Sequence, residues 1–500
     1  MKPIKKLAGQ TVVYGMGTIV PRLLNYLLLT PFYTRIFIEG EYGVVTELYA
    51  YVAFLLVLLT YGMETSFFRF AETETNKDRV FTTALGSLFV TSSLFIVLGT
   101  LFSGSIADLI RYPDHPEYIK FFVIIVGVDA FSAIPFARLR QQNKAFRFAW
   151  IKVFNVTTNI LFNFFFLLFC PWYLDQNPDS VLNTIYNADI GVGYAFISNL
   201  IASVLTLLLL LPDIFSIRIV FDGRLLKKML SYGFPLLLVG LFGMINEVSD
   251  KLLFKFLISV PEDVTDKGNY VLGQLGIYGA NYRLAVLMTL FIQMFRYAAE
   301  PFFFSHAREA SAKRLYASVM KYFIIFCMLI FLGVTLFLDI FKYFIGPDFR
   351  SGLMIVPIIL MANLLLGVFY NLSVWYKLTD KTLYGAIIAL TGAIITIVLN
   401  ILLVPQYGYV GAAWAHFSCY FTMVVISFFW GRRHYRVIYD LQNIFIYFFI
   451  GLGIYFIARQ MALEEGMVKH VVHLAFLLAF LLFAVMLERK KYREEFTSPD

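Results

Sequence analysis

Cysteine is scarce: three in 500 residues (Cys170, Cys327 and Cys419), without ligand spacing. That excludes a disulfide framework. Charge is scarce too, at 15% of residues, against 60% hydrophobic and a mean hydropathy of +0.74. A soluble chain of this length could not bury that much apolar surface. Loops longer than about 20 residues are lacking, and so are a soluble domain, a linker and a low-complexity tract; "REEFTSPD" reads as a short polar tail. Walker A, HExxH, G-x-S-x-G and DxD patterns are also missing, which leaves no route to ATP hydrolysis by the usual P-loop chemistry. No cofactor and no metal site are expected. Work done by the chain has to draw on a gradient, of protons, sodium or substrate.

What is present is a series of apolar runs of 18 residues or more, the signature of membrane spans. Each span must satisfy its own backbone hydrogen bonds, and runs that do not alternate mean helices rather than barrel strands. Fourteen spans are expected, centred near residues 24, 53, 92, 128, 158, 201, 245, 287, 328, 363, 393, 420, 450 and 478. The opening "MKPIKK" resembles the basic start of a signal peptide. The run behind it is too long, carries Pro21, Arg22 and Asn25, and lacks a small-residue cleavage site, so the first span is expected to be retained. With both termini in the cytoplasm, Lys and Arg divide 27 inside to 9 outside, and five (Arg22, Arg35, Lys152, Arg283, Arg296) lie in or at the edge of spans. That asymmetry fixes an N-in/C-in orientation and makes the net charge of +8 topological, not a nucleic-acid-binding feature.

The chain also resembles itself. At an offset of 236, Tyr42-Gly43 meets Tyr278-Gly279, and "YGMETSFFRFA" (61–71) meets "YAAEPFFFSHA" (297–307). At 237, Arg140 meets Lys377, Lys144 meets Lys381, and Asn163 meets Asn400; between them "YPD" (112–114) resembles "GPD" (346–348). The expected organisation is two parallel six-helix lobes, 1–222 and 223–432, followed by two additional helices and a cytoplasmic tail in 433–500. Six is even, so both lobes share one orientation. The fold class is an all-α integral membrane protein, and the lobed duplication points to a transporter more than to a bare scaffold.

Ionisable groups inside spans cost roughly 2.5–3.5 kcal/mol each and tend to face a wet interior. Arg22, mid-span beside Pro21, is a candidate for holding an anionic head group, or a partner in a bundle-internal ion pair. Arg283 occupies the repeat position of Glu47; the two could pair as a gate, or each could have a local partner. Glu64 and Glu300 recur at the inner ends of their spans, either as coupling groups or as helix-end carboxylates beside basic loops. Asp129, Glu247 and Asp250 are candidates for binding a proton or cation, because desolvation favours their neutral form, or for structural hydrogen bonding. Lys152 either lines a cavity or snorkels inward. Asn163 and Asn400 read as interhelical hydrogen-bond contacts. Gly411 to Ala413, after the corner "PQYGY", would let the next span approach closely. His470 and His473 lie in an exterior loop without further ligands and do not read as a metal site.

Three stretches carry a family resemblance: "SDKLLFKFL" (249–257), "GIYGANYRLAVLMTLFIQMFRYAAEPFFFS" (276–305) and "LNILLVPQYGYVGAAWA" (399–415), joined by "YGMETSFFRFA". The chain resembles the bacterial polysaccharide flippases of the multidrug/oligosaccharidyl-lipid/polysaccharide exporter superfamily. The resemblance implies a multi-pass protein of the bacterial inner membrane that moves undecaprenyl-diphosphate-linked oligosaccharide outward by alternating access, as in O-antigen and lipopolysaccharide assembly. It implies the lipid-linked substrate, membrane lipids and glycan-assembly enzymes as partners. Such proteins hold a diphosphate with cations of helices one, two and eight, and Arg22 and Arg283 fit that description by position; Lys152 is a further substrate-binding candidate from its place in span five. Span two departs from an arginine-rich peptidoglycan-precursor flippase, since it carries Glu47 and Glu64 with Arg69 only at its inner end. Alternatives are that peptidoglycan-precursor flippase, a cation-coupled multidrug exporter, and, as an enzyme, a membrane glycan polymerase or ligase, for which the outer loops look too short.

Overall fold

The computed structural model describes residues 15, 17–217, 220–305, 309, 311–379, 381–461 and 463–497, without the side chains of 298, 300, 301, 304, 305 and 491–497. Among the described residues there is no strand. Eleven helices are long and apolar enough to cross a membrane, or twelve if Lys267–Leu284 and Val286–Tyr297, bent by 49°, count as one span. One of the eleven, Thr382–His434, is two arms broken at Gly408, whose φ of 54° is left-handed and suits a residue without a Cβ. Residues 17–36 are helical throughout, with a π-turn at Asn25–Leu29. All the expected span centres fall on helical residues.

The long helices are labelled in chain order. They are α1 (17–36), α2 (Glu39–Thr60), α3 (Lys77–Leu101), α4 (Pro116–Gln141), α5 (Ala145–Phe164), α6 (Gly193–Phe215) and α7 (Gly223–Leu257). Then come α8 (the bent pair Lys267–Leu284 and Val286–Ser305), α9 (Ala312–Leu336), α10 (Val356–Leu372), α11 and α12 (the arms of Thr382–His434), α13 (Leu441–Gln460) and α14 (Met467–Thr497).

The helices are amphipathic in the sense opposite to that of a soluble protein. On α3 the exposed large apolar side chains are Phe89, Val90, Leu94, Val97, Leu98 and Leu101, while Thr82, Thr83, Ser87 and Ser92 are buried. Lipid is as apolar as leucine, so the large apolar groups can face outward. Small and hydroxyl-bearing residues let helices pack against one another.

By packing, the chain divides into two compact units: residues up to Phe256 with Val260–Gly276, and Leu257–Ser259 with Ile277 onward. The division falls later than the sequence repeat because α7 packs within the first unit, where Ser66 Oγ donates to the Met229 carbonyl at 3.0 Å. The start of α7 is capped by Asp222, which accepts from the Leu225 and Arg224 amides at 3.1 and 2.9 Å. Those amides hold its carboxyl below the usual carboxylate range.

Within the first unit α4 is central, packed on α2, α3 and α6. Helices α1 and α5 run parallel in nearly constant register. Gly17 sits where a Cβ would strike Ala149, the Phe32 and Phe164 rings are 4.4 Å apart, and Tyr33 OH donates to Asn163 Oδ1 at 2.7 Å. Asn163 is thus an interhelical contact, as expected. Asn400 is not: its Nδ2 donates at 2.8 Å to Thr396 O, one turn back on its own helix. An amide that finds a carbonyl four residues earlier needs no neighbouring helix. Gly411 does allow close approach, since a Cβ there would strike the backbone of Leu403 across the Gly408 break. In the second unit α10 takes the central place, packed on α9, the second arm of α8 and the α11–α12 pair.

The tightest backbone approach in the first unit is between α2 and the first arm of α8. A Cβ on Gly43 would strike the Leu272 carbonyl, and one on Gly276 the Glu39 carbonyl. Backbone cannot yield as a side chain can. Gly43→Leu is therefore expected to cost about 1–3 kcal/mol through overpacking, read as a lower Tm of the detergent-purified protein. An unchanged Tm would show that the two backbones can separate freely.

Candidate functional site

The intramembrane charges of the first unit fall into two groups. In the first, Asp129 on α4 is half-buried, hydrogen-bonded to Ser203 of α6 and within electrostatic reach of Lys152 on α5. The Lys152 ammonium lies 4.0 Å from the centre of the Phe136 ring. Both Arg22 and Arg140 are close enough to act on it electrostatically. The register of α1 on α5 explains why: Gly17 abuts Ala149, so a few residues further along each helix Arg22 and Lys152 reach the same depth. Arg22 is exposed, next to buried Pro21. Arg140 is ion-paired with Glu64 and lies 4.8 Å from the Phe68 ring.

Lys152, Arg22 and Arg140 thus gather near Asp129 and Glu64, with Arg22 the exposed member. A ring face stabilises a desolvated ammonium without neutralising it. A cluster this rich in cations can receive an anion.

The second group is sealed. Glu47 is fully buried, and its Oε2 accepts from Tyr112 OH at 2.5 Å and from Lys255 Nζ at 3.3 Å. Lys255 also donates to the Ile110 and Arg111 carbonyls at 2.8 and 3.3 Å, and its Nζ lies 3.4 Å from the centre of the Tyr112 ring. The cation that answers Glu47 is thus Lys255, at the end of α7, a local partner and not the gating pair with Arg283 that was the other reading. The 35-residue length of α7, which carries the helix past the end of a normal span, is the signal that could have placed it.

The remaining candidates separate in the same way. Asp250 is buried and bonded to neighbouring Lys251, with Nζ at 3.0 and 3.1 Å from its two oxygens. Glu247 is exposed, and its carbonyl accepts from Lys251 Nζ at 3.2 Å. Glu64, in the first turn of the short helix Met63–Thr73, is paired with Arg140 in the last turn of α4. The side chain of Glu300 lies outside the described residues. Arg283, in the second unit, is exposed in the last turn of the first arm of α8, two residues before the bend at Ala285. On the second arm Arg296 lies 4.5 Å from the centre of the Tyr370 ring.

If Asp129 and Lys152 answer each other, their removals are not additive. Lys152→Met and Asp129→Asn should each lower the Tm of the purified protein. The double variant should recover about 0.5–3 kcal/mol relative to the sum. Strict additivity would mean that the two side chains do not interact.

The comparisons with known proteins come from two directions. Residues 7–307 match a family described as "Polysaccharide biosynthesis protein". No curated protein matches the sequence. Among solved structures, one described as lipid II flippase MurJ in an inward closed conformation superposes with a TM-score of 0.74 at 16% identity, covering 96% of this chain and all of that one. An inward-facing multidrug resistance MATE family transporter of the MOP superfamily superposes at 0.60 and 13% identity, covering 85% of this chain and 97% of that one. A MOP superfamily transporter from Pyrococcus furiosus gives 0.53 and 14%, with 86% and 95% covered. These structural relatives are transporters and flippases, not enzymes, and their fold is the all-helical one found here. The family match spans more than half of the sequence: the chain belongs to the polysaccharide biosynthesis protein family.

Proposed function

We propose that the protein is a flippase that moves undecaprenyl-diphosphate-linked oligosaccharide from the inner to the outer leaflet of the bacterial inner membrane for surface polysaccharide assembly. The observation that carries this reading is the exposed Arg22 beside Lys152, in an intramembrane cluster that also holds Arg140, Asp129 and Glu64. A diphosphate leaves water only for desolvated cations that replace its hydration. Arg22 supplies a planar fork for that purpose, Lys152 deepens the positive field, and Arg283 supplies the same fork at the broken helix α8. Membership of a polysaccharide biosynthesis family supports a glycan as the cargo.

In this reading the chain crosses the membrane fourteen times with both termini inside, and access to the head group alternates between the two faces. Asp129, hydrogen-bonded to Ser203 and beside Lys152, is the coupling group through which a proton or sodium gradient would act. Glycan-assembly enzymes are its expected partners, and O-antigen-type lipopolysaccharide is the expected pathway.

A second reading, a lipid-linked peptidoglycan-precursor flippase, is favoured by the end-to-end superposition on the lipid II flippase structure. Against it stands α2, whose Glu47 is committed to Lys255 and Tyr112 and which offers no arginine within the span. Complementation of cells lacking their own peptidoglycan-precursor flippase separates the two, since the polysaccharide flippase should fail to rescue growth.

The test of the site is Arg22→Ala with Arg283→Ala. Truncating a charged partner of a desolvated anion costs about 2–5 kcal/mol, so translocation of the lipid-linked glycan should fall by at least about thirtyfold at normal membrane insertion. Arg22→Lys, which keeps charge but loses the fork, should fall between. Wild-type translocation in the double alanine variant would remove the arginines from the mechanism.

A further inference from the structure

The second unit contains a cavity of about 290 Å³, remote in sequence from every group discussed above, walled by Thr335, Asp339, Tyr455, Arg459, Lys469 and His473. These residues come from the end of α9 and the connection after it, the end of α13 and the start of α14, all on the face expected to be outer.

His473 is 4% exposed. Its Nδ1 lies 2.5 Å from the Leu336 carbonyl oxygen. A carbonyl can only accept, so Nδ1 carries the proton and the tautomer is fixed. The edge-to-face packing of the ring on Phe337, at 6.2 Å and 87°, fixes its orientation. Nε2, on the other side of the ring, is buried and has no hydrogen-bond partner among the described residues. A buried nitrogen held this rigidly on a cavity wall calls for an occupant.

Two fixed charges define that occupant. The Lys469 ammonium is shared with Asp339, at 2.5 Å, so this pair contributes no net charge. Arg459 reaches Tyr455 OH at 3.4 Å and is otherwise exposed. One cation is therefore in surplus. Three hydrogen-bonding heads, from Arg459, Lys469 and His473, line one space. A carboxylate has two oxygens to offer them, and a phosphate has enough for all three. The cavity also borders the apolar Leu353, Met354 and Pro357, as an interfacial site for an amphiphile would.

We propose that this cavity binds a phosphate group, carried by a phospholipid of the outer leaflet or free in solution. The phosphate is a monoester or free phosphate: its P–OH donates to His473 Nε2, and its anionic oxygens accept from Arg459 and Lys469. The site is independent of the Arg22 cluster and of the substrate assigned to it.

The experiment measures the Tm of the full chain in detergent against rising dioctanoyl phosphatidate, inorganic phosphate and dioctanoylglycerol. A saturable rise with phosphatidate but not with dioctanoylglycerol is expected. Its midpoint should move at least tenfold higher in Arg459→Gln, an exposed position where folding is not at risk, and in His473→Gln. The rise should persist in Arg22→Ala/Arg283→Ala. The same rise with inorganic phosphate would identify the free anion as sufficient, and a rise with phosphatidate alone would identify the lipid. No saturable rise with either, an equal rise with dioctanoylglycerol, a midpoint unmoved in Arg459→Gln, or loss of the rise in the Arg22/Arg283 variant would overturn the proposal.

Discussion

A charge inside hydrocarbon must be answered by another charge, a ring face or a carbonyl, and the first unit is organised around that requirement. Arg138 shows it in full. Its guanidinium, 8% exposed, donates to the Asp213 carbonyl at 2.7 Å and to Asp78 at 3.1 Å, and lies 4.4 Å from the centre of the Phe81 ring. One side chain on α4 thereby holds the ends of α3 and α6. Asp213 in turn receives Arg147 at 2.8 Å and Lys144 at 3.8 Å, and Asp222 pairs with Arg79. Cations of the kind counted in the charge asymmetry are thus the ones that staple helix ends together.

The requirement also sorts function from scaffold. Glu47 with Lys255 and Asp250 with Lys251 are buried pairs, while Arg140 with Glu64 is partly exposed. Removing one member of a buried pair strands the other, which gives such pairs a structural role. Arg22 and Arg283 differ in being exposed although both lie within the apolar stretches. A cation kept accessible at that depth is costly unless something uses it. Regular helix is disrupted near each, by the π-turn at Asn25–Leu29 and by the bend at Ala285.

Much of this was legible in the sequence. Hydropathy places the helices because lipid leaves the backbone few alternatives. The inner-end carboxylate Glu64 and the contact through Asn163 could be read from position. Partners could not. Glu47 seemed to face Arg283 because the repeat put them at one depth, yet depth says nothing about which side of a helix a group occupies. Lys255 and Tyr112 come from elements 208 and 65 residues away. Asn400 donates within its own helix, an outcome that sequence cannot distinguish from a bond to a neighbour. His473 looked inert as a metal ligand, and only its burial on a cavity wall, with one nitrogen committed and the other unpartnered among the described residues, draws notice.

The comparison of Glu47 with its repeat neighbourhood shows what is held constant. In the first unit Glu47 of α2 is tied to Tyr112, in the connection between α3 and α4. In the second, Asn281 of α8 donates to the Phe349 carbonyl at 2.7 Å, in the connection between α9 and α10, and Gly352 leaves room for that amide. Each unit thus fastens its second helix to the loop that precedes its central helix. The first does so with a carboxylate, a phenol and an ammonium, the second with a neutral amide and a backbone carbonyl. The carboxylate requires Lys255 to accompany it into the interior; the amide requires no ion at all. Freed from that obligation, the second unit carries at the position matching Glu47 an exposed arginine, Arg283, with no ion pair among the described residues, where the first unit carries a buried carboxylate that has one.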